Sequence, residues 1–72
     1  MREIKIGTDF IKLDSLLKYA ALVSSGGEAK SAVLEGLVSV NGEVCRMRGK
    51  KLTEGDIVSF KGTEIRIVKH ED

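Results

Sequence analysis

The clearest chemical signal in the sequence is a run of four cations within six residues. No acidic residue interrupts this segment, residues 46–51, which we call the basic loop; its cations are Arg46, Arg48, Lys50 and Lys51. Removing these four from the 12 basic residues leaves 8, against 11 acidic residues in the rest of the chain. A protein with one concentrated cationic segment can bind a polyanion there while its other surfaces repel it. The segment therefore favours phosphate binding, and its plain alternative is a solvated loop.

The sequence offers little material for catalysis or for a metal site. It contains one His and one Cys. His70 lies in a predicted C-terminal tail, where no rigid element holds it near a nucleophile, and two nitrogen or sulfur ligands are short of the four of a structural zinc site. Gly26-Gly27 lacks the Gly-Lys-Ser/Thr ending of a P-loop. We expect no catalytic activity, no metal or other cofactor and no small-molecule substrate.

Length and composition predict one domain whose function lies on its surface. Two cores in 72 residues would each fall below the roughly 40 residues at which chains usually need disulfides or metals. Such a chain is also too short to enclose a deep pocket. It has no apolar run of about 20 residues, so we expect no membrane partner. The single Cys45 and a strand-like N-terminus in place of a signal peptide favour the cytoplasm.

A strand and a helix are predicted in the first third of the chain. Polar and apolar residues alternate over Arg2 to Ile6, which predicts a strand. Apolar residues then recur at helical spacing, and Asp14 is placed to accept a backbone N–H as the N-cap. A first helix is therefore predicted from about Ser15 to Leu22, with Leu13 just before the cap as an apolar anchor.

A second helix is predicted over Gly26 to Glu35. Ser25 and Glu28 form a capping box, in which each side chain satisfies a backbone donor at the start of the helix. Gly36 can adopt the left-handed conformation that ends a helix, with Leu37 folded back over the last turn. The apolar face is narrow and carries small side chains, which predicts close packing against the first helix; its residues are Ala29, Ala32 and Val33.

The second half of the chain is predicted to consist of strands. Asn41-Gly42 lies between apolar residues of period two and predicts a type I′ hairpin. A second turn is predicted at Thr53 to Asp56, and Lys61-Gly62 joins a final pair of strands, Ile57 to Phe60 and Glu64 to Lys69. We expect His70 to Asp72 to be a frayed tail. The order is one strand, two helices, then strands.

Several of these motifs occur together in a specific order. They are Lys12-Leu13-Asp14, Leu17, Leu22, Ser25-x-x-Glu28-Ala29, Gly36, Val38-x-Val40-Asn41-Gly42 and Gly55-Asp56. This series resembles the S4 RNA-binding domain, the αL motif, over about residues 12–59. Residues 24–30 and the basic loop are most similar to small stand-alone bacterial S4-like proteins of the YaaA and YbcJ type, which are implicated in RNA or ribosome binding. The resemblance implies one S4-like domain over residues 1–72, of the α+β class, with an N-terminal strand, two packed helices and a small mainly antiparallel sheet.

The resemblance also implies binding residues. The family's basic residue at the start of helix one falls on Lys12, its helix-two cation on Lys30, and the cation before the final strand on Lys51. Where many S4 domains have Arg-Arg after the capping Ser, this chain has Gly26-Gly27, and Leu34 replaces a further cation. The free N–H groups at this helix start could accept a phosphate. Alternatively, the glycines permit a tight turn between the helices. The predicted RNA-binding residues are Lys12, Gly26, Gly27, Lys30, Arg46, Arg48, Lys50 and Lys51.

The expected function is a noncatalytic, monomeric module that docks on structured RNA, specifically ribosomal RNA, through backbone phosphates. A-form duplexes hide their base edges, and the chain's three aromatic residues form no clustered pair for stacking. Tyr19 could stack on a base, although a partly buried helix residue is the favoured interpretation. One alternative is an interaction module for an acidic protein partner. The Val-Asn-Gly-Glu hairpin also resembles β-grasp sulfur carriers, but these need a C-terminal Gly-Gly, whereas this sequence ends His70-Glu71-Asp72.

Overall fold

The computed structural model describes residues 1–70 as an α+β fold. The elements are β1 (Arg2–Ile6), β2 (Ile11–Lys12), α1 (Leu13–Tyr19), α2 (Gly26–Leu34), β3 (Val38–Val40), β4 (Glu43–Val44), β5 (Lys51–Leu52), β6 (Ile57–Phe60) and β7 (Thr63–Lys69). Five strands form one sheet in the order β1-β7-β6-β3-β4, and β2 and β5 form a separate two-stranded sheet. Only the β1–β7 pair is parallel among these described strands. The predicted class, two helices with a mainly antiparallel sheet, is confirmed.

The core lies between the two helices and one face of the large sheet. The leucines of α1 are fully buried, and Ala29 and Val33 of α2 are equally inaccessible to solvent. They form one cluster with apolar residues of the strands, among them Val58 and Ile67. The small residues of α2 therefore allow close packing, as their spacing predicts. No helix in the described part of the chain is long and apolar enough to cross a membrane.

The first helix begins and ends earlier than predicted. It starts at Leu13, with Lys12 as an N-cap that makes no side-chain bond, and the Asp14 carboxylate accepts only from the adjacent Ser15 N–H. The predicted Asp14 cap is therefore wrong. The physical reason is that carbonyls of the basic loop satisfy the first free donors: Leu13 N–H donates to Lys50 and Asp14 N–H to Arg48, at 2.9 and 3.0 Å.

The end of α1 is a Schellman motif without a glycine. Ala21 has φ +59°, and the N–H groups of Ala21 and Leu22 donate to the carbonyls of Lys18 and Leu17. The helix therefore stops at Tyr19, three residues before the predicted end. The second helix follows its prediction more closely: Ser25 Oγ accepts from Glu28 N–H at 3.2 Å.

The end of α2 also forms a Schellman motif, here with glycine at the left-handed position. Gly36 has φ +76°, its N–H donates to Val33, and Leu37 N–H donates to Ala32. The helix ends at Leu34, and Glu35 is its C-cap. The predicted role of Gly36 is confirmed.

The predicted hairpin turn is joined to the predicted Thr53 to Asp56 turn by one side chain. Asn41 and Gly42 both have positive φ, as a type I′ turn requires. Asn41 Oδ1 accepts from Ile57 N–H at 2.9 Å, while its amide donates to Asp56 Oδ1 at 3.1 Å. The other Asp56 oxygen accepts from Thr53 N–H at 2.8 Å. Two motifs that are distant in sequence thus form one hydrogen-bonded unit.

The two ends of the described chain meet in the parallel β1–β7 pair. The register runs from Arg2 opposite Ile65 to Ile6 opposite Lys69. His70 N–H extends this ladder by donating to the Ile6 carbonyl at 2.8 Å. The prediction of a frayed tail is therefore wrong for His70, because the parallel partner strand offers it an acceptor. Residues 71 and 72 lie outside the described residues.

Candidate nucleic-acid interface

The basic loop is fixed to the start of α1 by backbone hydrogen bonds. Its last residue, Lys51, begins β5, which pairs with β2, and the carbonyls of Arg48 and Lys50 cap α1. Lys50 N–H also closes a turn by donating to Met47 O at 3.1 Å. A two-residue ladder carries too little hydrophobic pattern to be recognised in the sequence, so β2 and β5 were not predicted. The cations consequently project from an ordered segment.

Lys12 and Lys51 lie directly opposite each other across the β2–β5 ladder. Because the neighbouring Leu13–Lys50 position is hydrogen bonded, these lysines form the adjacent non-hydrogen-bonded pair. In such a pair the Cα atoms are about 4.5 Å apart and the side chains lie on the same face. Like charges at this spacing repel and destabilise the ladder. A bound anion would remove the repulsion.

Phe10 is an aromatic member of this cluster that the sequence did not identify as a site residue. Lys51 Nζ lies 4.8 Å from the centre of its ring, and Phe10 is 39% exposed. The cation–π contact restrains the ammonium while leaving it accessible to solvent. Phe10 precedes Lys12 by two residues, the spacing that places side chains on the same face of a strand. That spacing was the available sequence signal.

Arg46 lies over the carboxyl end of α2. A Cβ atom at Gly36 would be only 2.6 Å from Arg46 Nη2 and 3.1 Å from Cζ. Glycine is needed at position 36 for its positive φ, whereas the guanidinium is the end of a flexible side chain that could move aside for a Cβ. The free carbonyls at a helix end carry partial negative charge, which favours a cation at this position. Arg46 thus connects the basic loop to α2.

Lys30 and the two glycines form a separate group on α2, with the glycines in the first turn and Lys30 in the middle of the helix. A Cβ atom at Gly26 would have no neighbour within 4 Å, and one at Gly27 would meet only Ser25 Oγ at 4.0 Å. Packing therefore does not require glycine here. Lys30 is exposed and follows the glycines by three and four residues, and helix side chains tilt towards the N-terminus. The Lys30 ammonium is therefore directed towards the end of α2 that carries the free N–H groups.

The eight predicted residues thus fall into two groups, one on β2 and the basic loop and one on α2. The loop group comprises Lys12, Arg46, Arg48, Lys50 and Lys51, and the helix-two group comprises Gly26, Gly27 and Lys30. Among residues 1–70, the ion pair is Lys69–Asp9 at 3.2 Å, which involves neither group. The cations of both groups are exposed, so their charges are available to an anionic ligand.

Tyr19 is more exposed than predicted. Its side chain was expected to be partly buried, but the residue is 64% exposed on the last turn of α1. The reason is the early end of the helix, which leaves Tyr19 at the margin of the helix pair. The described residues contain no cluster of three or more His, Cys, Asp or Glu side chains that could hold a metal ion.

Comparison with known proteins identifies close relatives. The chain is 44% identical over 59 residues to the probable ribosome maturation protein RlbA of Bacillus subtilis, covering 82% of this chain and 83% of the relative. It is 38% identical over 58 residues to the putative RNA-binding protein YbcJ of Escherichia coli, covering 81% and 83%.

Solved structures give the same result. The solution structure of Escherichia coli YbcJ, described as having an αL motif involved in RNA binding, matches with a TM-score of 0.72 and 35% identity, covering 94% of this chain and 87% of YbcJ. The 30S ribosomal protein S4e of Thermoplasma acidophilum matches with a TM-score of 0.68 and 25% identity, covering 82% of this chain and 31% of S4e. The model of the S4 domain family matches residues 4–68. The resemblance seen in the sequence is confirmed, and the chain belongs to the S4 domain family.

Proposed function

We propose that this protein is a noncatalytic RNA-binding module that docks on structured ribosomal RNA through backbone phosphates. The observation that carries the proposal is the Lys12–Lys51 pair, in which two like charges face each other without an acidic partner among the described residues. Two facing lysines repel each other, and a bound anion removes this repulsion. The pair therefore favours an anionic ligand. The names of the relatives, an RNA-binding protein and a ribosome maturation protein, support the same ligand.

The two groups suit two stretches of RNA backbone. The loop group offers cations on an ordered segment, and the helix-two group offers an ammonium together with N–H groups at a positive helix end. Phosphate contacts fix the position of a protein on a duplex without reading its sequence. Because A-form RNA hides its base edges in a deep groove, recognition is dominated by shape. The proposed interface is therefore selective for folded RNA more than for a sequence.

The proposal extends to the form in which the protein acts. We place it in the cytoplasm as a monomer with a single S4-like domain over residues 1–72, whose core motif spans about residues 12–59. The ribosomal relatives support this location, and the single cysteine is consistent with a reducing compartment.

Ultraviolet crosslinking in cells, followed by sequencing of the recovered RNA, tests the proposal. Ribosomal RNA should be enriched with the native chain and lost with a variant in which Arg46, Arg48, Lys50 and Lys51 are all replaced by Gln. A parallel pull-down with and without nuclease distinguishes the acidic protein alternative. Partners that remain bound after RNA removal, together with no recovered RNA, would contradict the proposal.

A further inference from the structure

A small cleft lies beside the loop group, between the segment after β1 and the end of α1. Its volume is about 220 Å³. The residues that line it are Lys5, Ile6, Gly7, Thr8, Ile11 and Tyr19. Pockets for drug-sized ligands occupy about 300–1,000 Å³, so this cleft has room for a single ring system and not for a large cofactor.

The Tyr19 ring forms an accessible wall of this cleft. It is 64% exposed, although Leu16 and Leu17 of the same short helix are fully buried. Its hydroxyl has no hydrogen-bond partner among residues 1–70. Exposed aromatic rings provide stacking surfaces for nucleobases, and a tyrosine side chain loses little conformational entropy because it has two χ angles.

Hydrogen bonds fix both walls of the cleft in the absence of a ligand. Arg2 of β1 donates from Nη2 to the carbonyl of Ala20 at 3.1 Å, which ties β1 to the end of α1. Thr8 Oγ1 donates to the Phe10 carbonyl at 2.7 Å and restrains the connecting segment. A ligand therefore enters a largely preformed site, which reduces the entropy lost on binding.

The free edge of β1 supplies polar groups to the cleft. In a parallel ladder, alternate residues of a strand bond to the neighbouring strand. The Ile6 carbonyl accepts from His70 on the β7 side, so the N–H and C=O of Lys5 face the opposite, unpaired edge. Lys5 lines the cleft. One donor and one acceptor beside an aromatic ring match the polar edge and the flat face of a nucleobase.

The cleft lies close to one residue of the loop group along the chain. Ile11 lines it and directly precedes Lys12 on β2. We propose that the cleft receives one unpaired nucleobase of the bound RNA, stacked on Tyr19 and hydrogen bonded to the Lys5 peptide groups. This inference rests on the proposed function. It predicts that the interface prefers RNA that carries a bulged nucleotide.

The composition of the chain provides a specific probe for this contact. Tyr19 is the only tyrosine and there is no tryptophan, so ultraviolet-excited emission reports on this ring alone. The chain is titrated with a short RNA duplex that carries one unpaired adenosine and with the same duplex fully paired. The paired duplex corrects for light absorbed by RNA. We expect quenching of Tyr19 emission by the bulged duplex only.

Two variants give an independent readout of affinity. Tyr19→Ala should weaken binding of the bulged duplex by about 5- to 150-fold, the range expected for loss of one base stack, and leave binding of the paired duplex unchanged. Tyr19→Phe keeps the ring and should bind both duplexes as the native chain does. Circular dichroism checks that each variant is folded.

The other outcomes separate this inference from the proposed function. If both duplexes bind but Tyr19 emission and the affinity of Tyr19→Ala do not change, the cleft is not a base site although the protein still binds RNA. If neither RNA binds, both proposals fail. If adenosine monophosphate quenches the emission at the concentrations at which the bulged duplex does, the ligand is a free nucleotide and the assignment to RNA is overturned.

Discussion

Lys12 and Lys51 are two like charges that face each other across a short ladder. Directly opposed like charges on a ladder of two residues weaken the ladder, and among the described residues no carboxylate compensates them. The cation–π contact with Phe10 restrains only Lys51. The Lys12–Lys51 pair therefore stabilises the ladder less than a neutral pair would, and it attracts a phosphate more strongly.

Replacing Lys12 with Gln should stabilise the protein and weaken RNA binding at the same time. We expect the free energy of unfolding to rise by about 0.2–1 kcal/mol, because the cross-strand repulsion is removed, and the gain to shrink in high salt. Urea denaturation at two salt concentrations measures this change. Lys50→Gln is the matched control, since it removes the same charge opposite Leu13 and should change stability little. A loss of stability in Lys12→Gln would contradict the argument.

The glycines at the start of α2 lead to a similar prediction. Neither has a positive φ, and neither is close to a packing neighbour, so Ala at Gly26 or Gly27 should raise the free energy of unfolding by about 0.4–1 kcal/mol. The added methyl groups should obstruct a phosphate at the helix N–H groups and lower the affinity for RNA. Thermal denaturation and RNA titration test the two effects separately. Unchanged affinity in the more stable double variant would exclude the glycines from the interface.

The basic loop and α1 are interdependent elements. The loop carbonyls of Arg48 and Lys50 satisfy the first donors of α1, and the helix start in return holds the loop cations in place. Arg46 adds a contact at the end of α2. The basic loop is therefore held in place by the helix that it caps and is an integral part of the fold.

Ala21 has a left-handed backbone conformation, which glycine adopts with less strain than alanine. At φ +59° its Cβ is strained by about 1 kcal/mol, so we expect Ala21→Gly to stabilise the protein by up to that amount. Ala20→Gly is the matched control: Ala20 is buried with φ −82°, and glycine there should destabilise. Chemical denaturation of both variants measures the difference. Equal effects of the two substitutions would show that the backbone conformation of residue 21 is not what limits stability.

The sequence predicted those elements whose signals are local. The Ser25 half of the capping box, the glycine at position 36 and the Asn41-Gly42 turn were correct, because each depends on a side chain or a φ angle within a few residues. The reciprocal bond from Ser25 N–H to the Glu28 carboxylate is not formed among the described residues. The cap of α1 was predicted incorrectly, since its true acceptors come from residues more than thirty positions away along the chain. The β2–β5 ladder was not predicted because two-residue strands carry too little hydrophobic pattern, and the partner of Phe10, Lys51, is likewise distant along the chain.

Across the whole molecule, charge is segregated although the net charge is only +1. The loop group lies at the start of α1, with Arg46 over Gly36, and the helix-two group lies on α2, where Glu28 is in the first turn and Glu35 is the C-cap. The candidate residues were identified from the sequence, but their division into two groups required the fold. If the basic loop binds a polyanion, a concentrated cationic segment of this kind should make the association strongly dependent on salt.

The most direct test of this account is the salt dependence of RNA affinity. With six phosphate contacts, from Lys12, Lys30 and the four basic-loop cations, the logarithm of the affinity should fall with the logarithm of salt concentration with a slope of about −4 to −5. Replacing the four basic-loop cations with Gln should reduce the slope to about −1 to −2. A control variant without Lys61, Arg66 and Lys69 should keep the native slope. A slope near zero for the native chain, or an unchanged slope in the basic-loop variant, would contradict the account.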